Sequence, residues 1–498
     1  MVKKIFLWIT PNLLNFGIAN SLQQNNDFEL YSIIDTPDNS KPFFINQQIV
    51  NFSKKWFFHD QINKQRNYDL KYLKKFEEKY GINLWLELIN ERTFSNFNKF
   101  HVFSRTEVLS IVEQECKFFE KIIEEVKPEI FIASSWANFH QDNLFLKICK
   151  FHNIKCLFLH SARISAKKSY ISELSEHSSK NTHLSPPKNY ISKLNNFNEI
   201  LTEIKNEKRF KSAKKMTTCE FSFVNKFAAL IKFLFSPSQN HKSHYTYFGR
   251  TKFNVLSKII STEMSSYRRK KFLYENVENT ISDNDCNFVY YPLHLEEEAS
   301  MLIGSPFYLN QVDLIRKISM SLPINYELLV KESPVAFARN WRSISDYKKI
   351  LELPNVKLIH PSIDPHEIYP KCSLVITVTG TAALESLYHG KPSIIFTDSV
   401  FSNLSSITTV QDITKLPEII LNSLKTKVDL DEVLKYYSFA LENSFDLEVP
   451  NLLNEISNTF FSSGILADVK INEKDMKNFL ISKKTDFDLL ANQFKKNF

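Results

Sequence analysis

Between Asn287 and Asp398 the chain alternates short apolar runs with longer amphipathic ones, and no other feature limits its fold as strictly. The runs Phe288 to Tyr291, Tyr326 to Val330, Val356 to Ile359, Leu374 to Val378 and Ser393 to Phe396 read as strands. Helical stretches over Phe307 to Ser321, Arg339 to Leu351 and Ala382 to His389 separate them. Strands joined through helices pair in parallel, because each crossover returns the chain to the same end of the sheet. Asp364, Pro365 and Glu367 fit the N-cap, N1 and N3 positions of a further short helix, and Gly390 followed by Pro392 stops the last one. These signals predict an α/β unit built on a parallel sheet.

A second α/β unit is expected ahead of it. Phe118 to Val126 is helical until Pro128, Glu129 to Ala133 is a strand ending in Ser134-Ser135, Asn143 to Phe151 is helical, and Lys155 to Leu159 is a strand ending in His160-Ser161. Strand, helix and strand at this spacing make a βαβ unit. Ile5 to Ile9 reads as a buried first strand and not as a secretion signal, since Thr10-Pro11-Asn12 cuts the apolar run short of the ~7–15 residues required. No run reaches the ~18 apolar residues of a membrane-spanning helix. The six cysteines stand far apart without a C-x-x-C pair, which points to reduced thiols and a cytoplasmic chain.

The net charge of +8 has one source: from Lys205 to Lys271 there are 16 Lys or Arg against 3 Glu. Within it Phe221 to Phe235 is apolar, with Lys226 and Lys232 inside. Such a stretch can pack between domains with its lysines solvated, or lie on an anionic membrane surface at the inner face of the cytoplasmic membrane. Nucleic acid is not an expected partner, because the charges fall among apolar runs with no recognisable binding module. The expected organisation is an acceptor-side Rossmann-like domain over 1–204, a basic helical insert over 205–284, a Rossmann-like nucleotide-sugar domain over 285–425 and a helical tail over 426–498.

Ligands of open parallel sheets bind beyond the carboxyl ends of the strands. In the second unit those ends carry His294, then Lys331-Glu332-Ser333, His360, Thr379-Gly380-Thr381 and Thr397-Asp398. Gly380 permits a tight turn and close backbone approach, and Thr381 is expected to cap the following helix, whose N-H groups would hold a phosphate. Glu385 falls four residues after Thr381, not the three of a capping box, so its carboxylate is expected to be free for a ligand hydroxyl. The chain has only 7 glycines and neither G-x-G-x-x-G nor a P-loop. The spacings Asp283/Asp285, Asp429/Asp431 and Asp486/Asp488 are read as solvated or capping residues, and His241 with His244 lacks further ligands, so no metal site is expected.

Four segments in order resemble the capsule polysaccharide biosynthesis family, which includes capsule Kdo transferases. They are Tyr291-Pro-Leu-His294-Leu-Glu-Glu-Glu298-Ala-Ser300, Leu329-Val-Lys331-Glu332-Ser333-Pro334, Leu353-Pro-Asn355-Val356, and Ile376 through Thr379-Gly380-Thr381 and Glu385 to Gly390-Lys391-Pro392. The resemblance implies a GT-B-like α/β fold, two Rossmann-like domains facing a cleft, and a metal-independent glycosyltransferase without a bound cofactor. Its substrate would be a CMP- or UDP-linked sugar, Kdo or a related acid among them, moved to a glycan or lipid-linked acceptor. By the same analogy Ser333, Lys331, Thr379, Gly380, Thr381 and Glu385 would hold the donor, and His294 and Glu298 would line the edge. Ser333-Pro334 stands where the family has His-Pro. From the first domain Ser161 and Arg163 would face the acceptor, with His160 and Glu173 as further catalytic candidates; no nucleophile is assigned. The alternative is a non-catalytic protein that binds a glycan or nucleotide sugar to support polysaccharide assembly or export.

Overall fold

In the computed structural model the described residues are 2–24, 27–63, 67–94, 98–133, 139–175, 177–194, 198, 200, 202, 231, 233–235, 244–278, 287–335, 342–464, 466 and 468–498. Most of the basic insert, Ser134-Ser135, Asp283/Asp285, His241 and Arg339 therefore lie outside them.

The described strands form two sheets, and the fold is mixed α/β as expected. The first holds β1 (Lys3–Ile9), β2 (Phe28–Ile34), β3 (Lys54–Phe57), β4 (Ile130–Ala133), β5 (Lys155–Ser161) and β6 (Lys168–Ser172). The second holds β7 (Asn287–Pro292), β8 (Tyr326–Lys331), β9 (Val356–Ile359), β10 (Leu374–Thr377), β11 (Ser393–Ile395) and β12 (Ile407–Thr409). A last strand, β13 (Phe445–Asp446), returns to the first sheet, whose order is β13-β6-β5-β4-β1-β2-β3. The second sheet runs β12-β11-β10-β7-β8-β9, parallel throughout. β12 is one strand more than the apolar runs had indicated, because Ile407–Thr409 is too short to read as a strand without its neighbour.

The predicted βαβ unit is present: β4 and β5 pair in parallel around the helix His140–Phe151. Helix starts move where a cap decides them. The stretch predicted from Phe307 is a helix over Gln311–Ser321, because the Asn310 side chain accepts from the Asp313 N-H, and the next begins at Ile344 behind Ser343.

The tail is helical and folds onto the first sheet. β13 pairs antiparallel with β6, and the helices Glu473–Ser482 and Lys484–Lys495 share a core with the helix Leu14–Leu22. Gly17 makes this docking possible: a Cβ there would stand 2.1 Å from the Phe487 ring. Gly17→Val should destabilise the protein by about 1–3 kcal/mol through overpacking, read as a lower urea midpoint. A midpoint equal to that of the parent would contradict the packing.

A separate apolar cluster joins the two halves. Ala162, Ile164, Tyr170 and Leu184 from the first pack with Ala383, Leu384 and Leu387 from the second.

Candidate functional site

The strand order places the site. From β7 the second sheet grows outward through β8 and β9, then returns to β10 on the other side and continues to β11 and β12. The crevice of such a sheet opens where the winding reverses, between β7 and β10, outside their carboxyl ends. His294 follows β7 and Thr379-Gly380-Thr381 follows β10, so both lie at that point.

His294 Nε2 stands 2.7 Å from Thr377 Oγ1 and accepts the Val378 N-H at 3.2 Å. Burial, followed by the charge of Arg342, pushes its protonation down to about 4, so the ring is neutral near pH 7. The Gly380 N-H donates to Thr377 Oγ1, which takes it out of the set expected to hold a phosphate. A Cβ at Gly380 would lie 2.8 Å from Thr377 Oγ1 and 3.0 Å from His294 Cε1, which is the close approach that glycine allows.

Two expectations about this turn are corrected. Thr381 has helical backbone angles and makes no side-chain cap. Its hydroxyl instead donates to Glu385 Oε1 at 2.8 Å, and the Tyr369 hydroxyl donates to Glu385 Oε2 at 2.8 Å. Glu385 is therefore not free for a ligand: the spacing of four places it over Thr381, one turn on. The helix is Ala382–Leu387, six residues long, so few aligned peptide dipoles back the turn. Thr379, Gly380 and Thr381 are half-buried and reachable.

Lys331 is buried beneath the edge, not lining it. Burial holds its amine down at about 8 against the pull of Asp364 and Glu332. Burial, with Lys331 next, also lowers the basicity of His360, whose Nδ1 lies 2.6 Å from Ser362 Oγ. Glu332 is fully enclosed; it accepts from Arg342 Nε at 2.8 Å, the Tyr347 hydroxyl at 2.7 Å and the Ser333 N-H at 2.8 Å. Arg342 donates further to Glu296 Oε1 at 2.7 Å and to the His294 carbonyl at 3.2 Å. Gln311 closes the same loop, accepting from the His294 N-H at 2.7 Å and donating to its carbonyl at 3.0 Å. This framework fixes the backbone of His294. Arg342 lies just ahead of the helix that begins at Ile344 and Gln311 opens the helix Gln311–Ser321, and their sequence pattern carried no signal of this role. Glu298 is exposed, at the start of the helix Ala299–Leu302.

The first-half candidates are placed differently. His160 is buried with its ring stacked on Tyr170 at 5.1 Å. Ser161 pairs with Ser169 in the sheet. Arg163 has a left-handed backbone and its charge acts on Tyr436. Glu173 is on the surface in an ion pair with Lys155. Among the described residues, His177 is a first-half side chain brought to the turn, its Nδ1 3.2 Å from Thr379 Oγ1. Sequence reasoning had no signal for it, since it sits in a loop among polar residues. Asp429 of the second Asp-x-Asp caps the helix Leu430–Glu442, as its capping reading requires.

Residues 189–415 match the family model described as capsule polysaccharide biosynthesis protein. This segment belongs to that family. It contains the whole second sheet and extends well ahead of the four motifs that first suggested it. No curated protein matches the chain in sequence. Among solved structures, the β-Kdo 2,7 transferase of Thermosulfurimonas dismutans KpsC is similar at 12% identity, covering 74% of this chain and 87% of that chain, with a TM-score of 0.33. Its β-Kdo 2,4 transferase gives 9% identity, 62% and 79% coverage and a TM-score of 0.30. The UDP-GlcNAc 2-epimerase of Neisseria meningitidis bound to UDP-GlcNAc gives 11%, 92% and 99%, and 0.26.

Proposed function

We propose that the chain is a GT-B-type glycosyltransferase of capsule or surface polysaccharide biosynthesis, moving a sugar from a CMP- or UDP-linked donor to a glycan or lipid-linked acceptor. The observation that carries this reading is the convergence of the family segment with the switch point: the turn Thr379-Gly380-Thr381 lies where a parallel sheet binds its ligand. The Thr379 hydroxyl would donate to the donor phosphate, Lys331 would supply positive charge from below, and neutral His294 would shape the turn. A transfer assay with labelled CMP- and UDP-sugars is expected to show turnover with one of them. Absence of both turnover and nucleotide binding would overturn the reading. Nucleotide binding without transfer would instead mark a non-catalytic binding protein, a reading favoured by the engagement of Glu385 with Thr381 and Tyr369.

Peripheral contact with an anionic membrane is the second part of the proposal. Along the helix Lys252–Asn276, Phe253, Ile260 and Tyr267 repeat every seven residues on one face and are 79%, 62% and 72% exposed. Lys252, Lys258, Arg268, Lys270 and Lys271 stand on the same helix. Among the described residues no helix is long and apolar enough to cross a membrane. The protein should co-sediment with vesicles containing phosphatidylglycerol and not with pure phosphatidylcholine, and Phe253→Ser with Ile260→Ser should weaken this about tenfold. Equal sedimentation of parent and variant would contradict it.

A further inference from the structure

Two of the chain's seven glycines stand against imidazole rings, and both rings flank the same turn. Gly380 leaves room for His294, which approaches from β7 and bonds Thr377 and Val378. Gly304 lies between the Ser300 carbonyl and His177: a Cβ there would lie 2.6 Å from that oxygen and 3.1 Å from the ring's Cδ2 and Nε2. His177 comes from the other half of the chain and meets Thr379 through Nδ1 at 3.2 Å.

The loop is fastened where it delivers this ring. Ser179, two residues on, donates its N-H and its hydroxyl to Asp398 Oδ2, both at 2.9 Å. Asn403 Nδ2 donates to the Ser179 carbonyl at 2.8 Å. The His177 N-H donates to Ser175 Oγ at 3.0 Å, and Leu184 enters the cluster that joins the halves. His177 is thus held on the carboxyl edge of a sheet to which it does not belong.

A threonine hydroxyl has one proton to donate and lone pairs with which to accept. If Thr379 gave its proton to His177, it could not donate to an anion. If His177 donates from Nδ1-H to Thr379 Oγ1, the threonine proton turns outward to whatever occupies the crevice. An anion at the turn selects the second arrangement, because a hydroxyl donating to a charged oxygen makes the stronger bond.

We propose that His177 is a positioning residue of the second half's anion site, donating to Thr379 so that the threonine hydroxyl is aimed at a phosphoryl oxygen of the bound nucleotide. The assignment rests on the nucleotide-sugar reading above and adds to it that the first half contributes to donor binding through this ring, before any acceptor is present.

The test is calorimetric titration of CMP and UDP into the full chain carrying His177→Ala, His177→Asn, Thr379→Val or the His177→Ala, Thr379→Val pair, with unfolding midpoints measured alongside. His177→Ala should weaken the bound nucleotide about tenfold, the loss of one charge-assisted hydrogen bond. His177→Asn, whose side-chain amide can donate from about the place of Nδ1, should restore most of that affinity. The pair should bind no more weakly than Thr379→Val alone, since His177 acts through that hydroxyl. Unchanged binding by His177→Ala, additive losses in the pair, or an Asn variant as weak as the Ala variant at equal midpoints would each overturn the assignment while leaving the nucleotide reading in place. A wild-type chain that binds neither CMP nor UDP would remove that reading, and this role with it.

Discussion

Replacing Arg342 with methionine should lower stability by about 3–5 kcal/mol, the cost of removing one partner from a buried ion pair. Its guanidinium is almost fully enclosed and donates to Glu332, Glu296 and the His294 carbonyl. Without it Glu332, fully buried, keeps only the Tyr347 hydroxyl and the Ser333 N-H as described partners, and no described positive charge bonds it. Adding Glu332→Gln to the Arg342→Met variant should recover part of the stability, because the uncompensated charge is then gone. Nucleotide binding should be impaired in Arg342→Met and in that pair alike, since in both the His294 carbonyl has lost its guanidinium clamp. Arg342→Lys should fall between, as one ammonium cannot serve three acceptors in a planar fork. Urea midpoints and nucleotide titration check both effects. A loss below about 1 kcal/mol for Arg342→Met would show that the pair is solvated and not buried.

His140→Ala should produce a loss of similar size in the first half, with a distinct pH signature. The ring is buried, with Nε2 3.0 Å from Glu115 Oε2 and Nδ1 3.3 Å from Glu91 Oε2, and the Tyr245 hydroxyl donates to Glu115 Oε1 at 3.0 Å. Burial by itself would lower the imidazole's basicity, but Glu115 and then Glu91 outweigh it and hold the value up at about 10. The folded value is above the unfolded one of roughly 6.5. The stabilisation is therefore complete below about pH 6.5 and is lost as pH rises through about 10. Substitution leaves two buried carboxylates facing each other and should cost about 3–5 kcal/mol near neutral pH. Other groups also titrate in this window, Lys331 among them, so the difference between parent and variant profiles is the quantity to measure. That difference should shrink steadily from pH 7 to pH 10. Parallel profiles would show that His140 is not the charged centre of this cluster.

Much of the second half was legible because its signals are local. The strands from Phe288 to Phe396 are short apolar runs, and of the polar residues after their carboxyl ends His294 and Thr379-Gly380-Thr381 stand at the switch point. The cap at Asp364 and the stop at Gly390 were also legible, since a cap is made within a few residues of where it is written. Thr381 and Glu385 were misread for a related reason. A spacing of four fixes which side chains share a helix face, but not whether a carboxylate there turns to solvent or to its neighbours, and Tyr369 decided that from the end of the helix Pro365–Ile368.

What the sequence by itself determined, then, is the alternation of strand and helix, the turn after β10 built on one of the chain's few glycines, and the polar residues at the strand ends. Backbone periodicity and turn chemistry act over a few residues and leave their pattern in the order of the chain. Only the tertiary structure decided the strand order that puts the reversal between β7 and β10, the return of the tail to the first sheet over Gly17, and the framework of Arg342, Glu332 and Gln311 around His294. It also decided that His177, which the sequence did not single out, meets Thr379. These are contacts between residues far apart in the chain, including the 202 that separate His177 from Thr379, and no periodicity or spacing records them. They form because packing the two halves against a shared apolar cluster brings a polar loop onto a strand edge, and the side chains there bond what they meet.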